Sequence, residues 1–310
     1  MLTKDNVPIY SICWLNHCDG GVIKTLYEPE SKDELLDICR TLYRNNKKFD
    51  VIGYTSNIYY LPSYNVETMV STRKVKEIEE HEEYIIAACG VSVSKLARQK
   101  VSEGIKGFEG LVDLPGTVGA SVYGNASCYG CSINELLISC ELLCPDGQVK
   151  ILSKNDLKLQ KRSSILKRGE QNGVILSVKL RKEKGDIEML QIKAEMNHRS
   201  RKINQPAPHN NLGSIYAINN GWTLYSYVPR VIAKSYGVIL NLFVRDKQTI
   251  KNKEKEFLFK ILGAKDLVPY VYSWNRYIWK DEKSHLLFWK YHELHKKMFK
   301  ESKFEIEIKM

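Results

Sequence analysis

Two segments of the chain combine glycines with small hydroxyl residues, a composition typical of loops that bind phosphate groups. The first runs from Gly53 to Asn57, and the second runs from Leu114 to Ala120. Glycine permits a positive φ angle and a close approach of the backbone to a ligand. Exposed backbone N–H groups beside Ser and Thr hydroxyls attract anions. Neither loop is a G-x-G-x-x-G motif or a P-loop, so the pair indicates a diphosphate site outside those two classes.

These loops belong to an ordered series of motifs that resembles the UDP-N-acetylenolpyruvoylglucosamine reductases (MurB). After Gly53–Asn57 come Gly104–Leu111, Leu114–Gly119, and then Asn125 with Tyr129–Gly130. Shorter matches follow at Arg162–Lys167, at Gln205–Pro206 with Gly213–Ser214, and at Phe304–Ile308. The matches keep the family order over about residues 10–217 and resume near residue 282. The segment Asp113–Tyr129 is the most specific of them.

The resemblance implies an α+β protein with an FAD-binding fold of the vanillyl-alcohol-oxidase type and a smaller α+β substrate domain. Residues 1–200 would form the FAD-binding region of two α+β subdomains, and residues 201–310 the substrate domain. The segment Gly53–Asn57 contains no histidine, so we expect FAD to be bound non-covalently. The residues implied to contact FAD are Gly53, Tyr54, Thr55, Ser56, Asn57, Pro115, Gly116, Thr117, Gly119, Ala120, Asn125, Ala126 and Tyr129.

The resemblance also implies an activity, in which NADPH reduces FAD and the flavin passes a hydride to an enolpyruvyl ether on a UDP-sugar. Arg162 would bind the enolpyruvyl carboxylate, and Ser214 would donate a proton with Glu307 as the second acid. Lys202, in preference to Arg201, would contact the substrate. Without the resemblance, each residue has a simpler interpretation. Arg162 would belong to a surface basic patch, Ser214 would be a turn serine, and Glu307 would lie on the exposed face of an edge strand.

The chain departs from the family pattern at several positions. Thr55 stands where the family has a glycine, and Ser127–Cys128 replace a Gly-Ala pair on the flavin side. Lys161 replaces a tyrosine, Ala217 replaces a lysine, and residues 219–280 match poorly and are rich in aromatic residues. The sugar could therefore be UDP-N-acetylenolpyruvoylglucosamine or a related precursor of a surface polysaccharide. A flavin-binding non-enzyme and a flavin oxidase of another sugar remain alternatives.

Composition limits the partners and the location. The 47 Lys and Arg against 36 Asp and Glu give a net charge of +11, which favours anionic partners. A nucleic-acid-binding protein is a third hypothesis that rests on this charge alone, and we expect a nucleotide sugar instead. The eight cysteines, in a chain without a secretion signal, predict reduced thiols and a cytoplasmic protein. No apolar run predicts a membrane span, and we expect a monomer.

Metal binding is not expected. Cys128 and Cys131 have the spacing of a zinc or redox pair, but no second pair with a matching histidine cluster follows. His292 and His295 are three residues apart on a predicted helix, where we expect them to be exposed.

The elements that must position these residues follow from hydrophobic periodicity. Apolar stripes predict helices at 32–43, 93–103, 187–202 and 284–302. Short apolar or alternating runs predict strands at 48–52, 84–89, 136–143, 148–152, 174–180 and 304–308. Pro145–Gly147 supplies the turn between the third and fourth of these strands.

Overall fold

The structure is a computed structural model that describes residues 2–18, 20–218 and 221–310. The chain divides into two compact units. The first unit is built from the chain up to Trp14, from Cys18 to Asn204, and from Ile308 onward. The second unit is built from Leu15–His17 and Gln205–Glu307. Each unit is therefore described separately.

One sheet of the first unit has four strands in the order β1-β2-β5-β3. Strands β1 and β2 are antiparallel, whereas β5 runs parallel to both β2 and β3. The helix α1 follows β2. Its first turn is capped by Ser31, whose side chain accepts a hydrogen bond from Glu34 N. The elements of this segment are β1 (Leu2–Pro8), β2 (Val22–Glu28), α1 (Lys32–Arg44), β3 (Asp50–Ile52), β4 (Ile58–Tyr60) and β5 (Val66–Ser71).

The second sheet of this unit is antiparallel, with five strands in the order β11-β10-β12-β7-β6. Its central strand β12 is buried at nearly every position, because α1 packs against it and so does α3. The elements are β6 (Ile78–Glu80), β7 (Tyr84–Ala88), α2 (Val93–Ser102), α3 (Val118–Tyr123), β8 (Ser127–Cys128), β9 (Cys131–Ser132), α4 (Ile133–Leu136), β10 (Leu137–Leu143), β11 (Val149–Ser153), β12 (Val174–Arg181) and α5 (Ile187–Asn204).

The second unit is mainly helical. Three helices pack around a core of aromatic side chains, among which Tyr277, Trp279, Phe288 and Tyr291 are fully buried. The elements are β13 (Tyr216–Ile218), α6 (Leu224–Leu240), α7 (Lys247–Ile261), β14 (Val271–Ser273), β15 (Arg276–Tyr277), α8 (Ser284–Met298) and β16 (Lys303–Phe304). The last strand, β17 (Glu307–Lys309), begins at the final residue of this unit and pairs with β4 of the first unit. In the described ranges, no helix is long and apolar enough to cross a bilayer.

The predicted helices and strands of the first unit are confirmed, with ends that differ by no more than two residues. Two predictions in the second half are wrong. His292 and His295 are buried rather than exposed, because His292 stacks on Phe304 and His295 stacks on Tyr216. The strand predicted at 304–308 is interrupted, and its parts are β16 and β17. β16 pairs with β13, whereas Leu61 N donates to Lys309 O within the first unit.

Lys100 is a fully buried cation of α2, and its ammonium group contacts two carboxylates. It bonds Glu80 of β6 and lies 2.7 Å from Glu103 Oε2, and both glutamates are partly exposed. We expect Lys100→Ala to lower the free energy of unfolding by about 1–3 kcal/mol, because it removes both the packed stem and the ion pairs. Lys100→Met keeps the stem and should cost less. Equal denaturation midpoints for alanine variant and parent protein in urea would contradict this assignment.

Candidate functional site

The first loop, Gly53–Asn57, begins where β3 ends. Thr55 within it has a φ of 57° and is only 4% exposed. A residue with a Cβ is strained in this left-handed region, and hydrogen bonds of the side chain offset that strain. Thr55 Oγ1 accepts from Trp14 N at 2.8 Å and donates to Tyr54 O at 2.7 Å. Thr55 therefore adopts a backbone conformation that glycine reaches without strain.

The buried side of this loop is hydrogen-bonded to Arg73, a residue that no sequence motif predicted. Its Nε donates to Gly53 O at 2.9 Å, and its guanidinium also bonds Ile12 O. Burial lowers the pKa of Arg73 from its usual value, although neighbouring tyrosines, Cys13 and Glu28 oppose that shift. Thr72-Arg73-Lys74 carries no motif, so only the fold reveals this fixed cation beside a loop suited to an anion.

The second loop packs directly on the first. Ser56 Oγ donates to Pro115 O at 3.0 Å. A Cβ added to Gly53 would lie 2.6 Å from Thr117 Oγ1, closer than real Cβ atoms approach. Gly116 has a φ of 134°, a backbone conformation that favours glycine. The two loops predicted to bind one diphosphate are therefore adjacent, and the Thr117 side chain fills the space that a side chain at Gly53 would need.

The second loop continues into α3, which rests on the end of β7. Gly119 N donates to Cys89 O at 2.9 Å, and a Cβ on Gly119 would lie 2.8 Å from Cys89 Cβ. Thr117 caps the helix by accepting from Ala120 N. Gly119 thus permits a close contact between α3 and the end of β7, and this contact fixes the position of the loop before the helix.

Asp113 fixes the start of the same segment. Its backbone N–H donates to Ser94 Oγ, and its carboxylate lies 2.5 Å from His198 Nδ1 and also bonds Arg98. Burial alone would raise the pKa of Asp113, but the hydrogen bond from His198 and the charge of Arg98 together lower it. The carboxylate thereby links α2, α5 and the second loop.

The residues after α3 connect the predicted flavin side to Arg162. Asn125, with a φ of 43°, donates from Nδ2 to Gln160 O at 2.7 Å. Gln160 and Ser163 exchange two backbone hydrogen bonds of 2.9 and 3.0 Å, and Arg162 lies in the turn that these bonds close. The buried Ser164 donates to Tyr123 O at 2.7 Å. Two separate hydrogen bonds therefore hold the Arg162 turn on the segment that contains Asn125.

A short hairpin, β8–β9, places Cys128 opposite Cys131 and exposes part of Tyr129. Arg201 of α5 reaches this hairpin, with Nη2 3.0 Å from Cys128 Sγ and its guanidinium carbon 5.6 Å from the Tyr129 ring centroid. Lys202 is exposed. Of the two cations considered from the sequence, the structure brings Arg201 to the hairpin. In the part of the chain that is described, no group of three His, Cys, Asp or Glu residues could hold a metal.

Ser214 and Glu307 belong to the second unit. Asn211, which is only 6% exposed, is hydrogen-bonded to both motif segments around it, Gln205–Pro206 and Gly213–Ser214. Its Nδ2 donates to Pro206 O and Ala207 O at 3.0 and 2.9 Å, and its Oδ1 accepts from Gly213 N at 2.7 Å. Glu305 N donates to Ile215 O at 2.8 Å, so the strand-like segments carrying Ser214 and Glu307 lie side by side.

The aromatic residues of the poorly matching stretch are mostly structural. Trp279 and Tyr277 are fully buried and stack edge to face, and Trp274 packs between Trp222 and Phe259. Core packing accounts for these rings, so they do not form an open platform for a sugar. Residues 219 and 220 of that stretch lie outside the described residues.

Comparison with known proteins shows which proteins the chain is similar to. Residues 23–153 match the model of a family described as FAD binding domain. The UDP-N-acetylenolpyruvoylglucosamine reductase of Caldicellulosiruptor saccharolyticus is 30% identical over 64% of this chain and 64% of its own. That of Caldanaerobacter subterraneus subsp. tengcongensis is 26% identical over 71% of this chain and 72% of its own. The aligned part thus spans roughly two thirds of these relatives.

A solved structure supports the same fold. The UDP-N-acetylenolpyruvylglucosamine reductase (MurB) from Thermus caldophilus superposes with a TM-score of 0.56 at 21% identity. The superposition covers 71% of this chain and 76% of that one. The α+β FAD-binding fold predicted from the motifs is confirmed. The chain is therefore similar to the UDP-N-acetylenolpyruvoylglucosamine reductases over about two thirds of its length, and its residues 23–153 match an FAD-binding domain.

Proposed function

We propose that the protein is an FAD-dependent reductase that uses NADPH to reduce an enolpyruvyl ether on a UDP-sugar. One observation carries the proposal. The two glycine-containing loops meet at Ser56 and Pro115, and the residues after the second loop hold the Arg162 turn through Asn125. The residues proposed to hold the cofactor and the turn that carries the proposed carboxylate-binding cation are thus joined through the second loop and α3. A cytoplasmic location and a monomeric state are further parts of the proposal.

The donor groups at the two loops fit the diphosphate of FAD. The loops contain the glycines Gly53 and Gly116, and the hydroxyl of Ser56 lies between them, bonded to Pro115 O. Backbone concavities in such loops bind phosphate groups, and Arg73 adds a fixed positive charge. When bound, FAD supplies the redox chemistry by taking electrons from NADPH and delivering a hydride. No histidine in Gly53–Asn57 is available for a covalent link.

Arg162 has the role of binding the enolpyruvyl carboxylate. Hydride addition to the vinyl ether places negative charge on the neighbouring carbon, and this charge spreads into the carboxylate. A cation held in a fixed position stabilises such charge better than solvent does, because it needs no reorganisation. The hydrogen bonds that hold the turn around Arg162 supply that fixed position.

Ser214 has the role of delivering the proton that completes the reduction, and Glu307 that of the second acid. A positioned general acid contributes about 10²–10⁴-fold to a rate. The backbone around Ser214 is ordered by Asn211 through its bond to Gly213 N, as proton delivery to one carbon requires. These roles are proposed for each residue from the motif in which it stands.

Arg201 and Lys202 have the role of contacting the nucleotide sugar. We assign the closer contact with the flavin side to Arg201, since it reaches Cys128 and Tyr129. Lys202 keeps its ammonium group in solvent, where it can meet an anionic substrate. The substrate is UDP-N-acetylenolpyruvoylglucosamine or a related precursor of a surface polysaccharide.

Steady-state assays separate this proposal from a flavin oxidase. Purified protein should consume NADPH when supplied with UDP-N-acetylenolpyruvoylglucosamine, and should consume it only slowly without the sugar. Oxygen consumption that depends on free sugars, without any turnover of the enolpyruvyl substrate, would favour the oxidase. A colourless protein whose binding to DNA falls steeply with salt would favour the nucleic-acid hypothesis.

Substitution of Arg162 tests the carboxylate contact. We expect Arg162→Lys to lower kcat/KM by about 10²-fold or more, because lysine keeps the charge but loses the planar two-pronged contact with a carboxylate. The reduction of FAD by NADPH should be unchanged. Lys161→Arg is the matched control, since it changes the adjacent exposed cation. If Lys161→Arg lowered kcat/KM by a similar factor, the loss would be due to a disturbed turn and not to the missing guanidinium of Arg162.

A further inference from the structure

Helix α6 buries its small residues and exposes its large apolar ones. Its buried positions are Ser226, Ala233 and Gly237. On the opposite side, Leu224 is 90% exposed and Val238 is 69% exposed. The exposed apolar residues of the helix and of the turn after it are Leu224, Tyr225, Tyr227, Val228, Val231, Ile232, Val238, Ile239, Leu242 and Phe243. Helical spacing of seven residues places Leu224, Val231 and Val238 in one stripe.

The contacts of the small residues explain why the large apolar side chains cannot occupy the buried face of α6. A Cβ on Gly237 would lie 1.6 Å from Glu254 Oε1, so α7 packs against the bare backbone there. Ser226 Oγ donates to Met298 O at 3.0 Å, which ties the start of α6 to the end of α8. Larger side chains on that side would not fit. A contiguous exposed apolar patch of this kind marks an interaction site.

The charge around the stripe is positive. From Gly221 to Arg245 the sequence contains Arg230, Lys234 and Arg245 and no acidic residue. The following segment, residues 246–261, contains five lysines against Asp246, Glu254 and Glu256, and one of these lysines, Lys255, donates to Val271 O. A second copy of the same face would bring these like charges together. An apolar surface bordered by cations is complementary instead to a lipid surface with anionic headgroups.

We propose that α6 binds the surface of an anionic membrane, lying in the headgroup region with its apolar stripe in the acyl boundary. The helix is not a membrane span. Tyr225, Tyr227 and Phe243, which flank the stripe, are exposed aromatic residues of the kind found at membrane interfaces. Lys234 and Arg245 supply the attraction to the headgroups, whereas the guanidinium of Arg230 stacks on the Trp222 ring at 3.5 Å. This inference does not depend on the reaction that the protein catalyses.

Flotation with vesicles tests the inference on the full-length protein. Vesicles of phosphatidylcholine with about 30% phosphatidylglycerol should bind the protein about tenfold or more tightly than vesicles of phosphatidylcholine alone. Raising the salt from about 0.1 M to about 1 M should reduce that preference, because the attraction is electrostatic. The variant Leu224→Ser/Val231→Ser/Val238→Ser should lose at least about nine tenths of the bound fraction.

Matched controls make the result decisive. The variant Ile151→Ser/Ile187→Ser/Met196→Ser removes three exposed apolar residues of the first unit and should bind vesicles like the parent protein. Unchanged thermal unfolding of both variants would show that they remain folded. Equal binding to neutral and anionic vesicles, or absence of binding to both, would overturn the proposal. A dimer in light scattering that the α6 variant converts to a monomer would overturn it in favour of a second copy.

Discussion

Replacing Ser214 by alanine is expected to lower turnover of the enolpyruvyl sugar by about 10²–10⁴-fold, the usual contribution of a positioned general acid. The flavin should still be reduced by NADPH at the parent rate, because proton delivery to the substrate follows that step. Stopped-flow measurement of each half-reaction separates the two effects. The loss should therefore appear only when the sugar re-oxidises the flavin.

Ser214→Cys is the matched variant, because a thiol is also a proton donor and differs little in size. We expect it to recover part of the rate that alanine loses. Turnover of the alanine variant within about threefold of the parent would exclude Ser214 as the proton donor. The contribution of general acid catalysis is at least an order of magnitude larger than that.

Replacing Gly53 by alanine should release FAD. The added Cβ would lie 2.6 Å from Thr117 Oγ1 and 3.0 Å from Thr117 Cγ2, so the two loops must separate. Overpacking of this kind costs about 1–3 kcal/mol, which corresponds to about 5–150-fold weaker cofactor binding if the bound state bears the cost. Titration of the apoprotein with FAD, followed by flavin fluorescence, measures the change in Kd.

Gly124→Ala is the control for that variant. Gly124 ends α3 with a negative φ, and an added Cβ would meet only Ala120 O at an ordinary 3.5 Å. We expect its affinity for FAD to stay near that of the parent. If Gly53→Ala also bound FAD with an unchanged Kd, the first loop would not hold the diphosphate.

The loops could be predicted from the sequence because their signal is local. Glycines and hydroxyl residues at close spacing predict loops without knowledge of the fold, and the two loops contact each other through Ser56 and Pro115. The bond of Arg73 to Gly53 and the contact of Arg201 with Cys128 have no local signal, since each joins segments distant in the sequence. Sequence reasoning could not find them.

The second half was harder to predict because several of its apolar residues are exposed and some of its polar residues are buried. In helix α6 the apolar residues are exposed and the buried residues are small. The sequence therefore lacks the alternation of an apolar buried face with a polar exposed face by which a helix is predicted. The spacing of His292 and His295 predicts an exposed helical face, but both rings stack in the aromatic core. Burial lowers the pKa of His295 to about 3, so it stays neutral there.

Anaerobic titration of the purified protein tests the central claim most directly. The protein should be yellow, NADPH should bleach its visible flavin absorbance, and UDP-N-acetylenolpyruvoylglucosamine or a related enolpyruvyl nucleotide sugar should restore that absorbance stoichiometrically. Reduced flavin that every such sugar leaves unoxidised would contradict the account, and so would a purified protein that neither contains nor binds FAD.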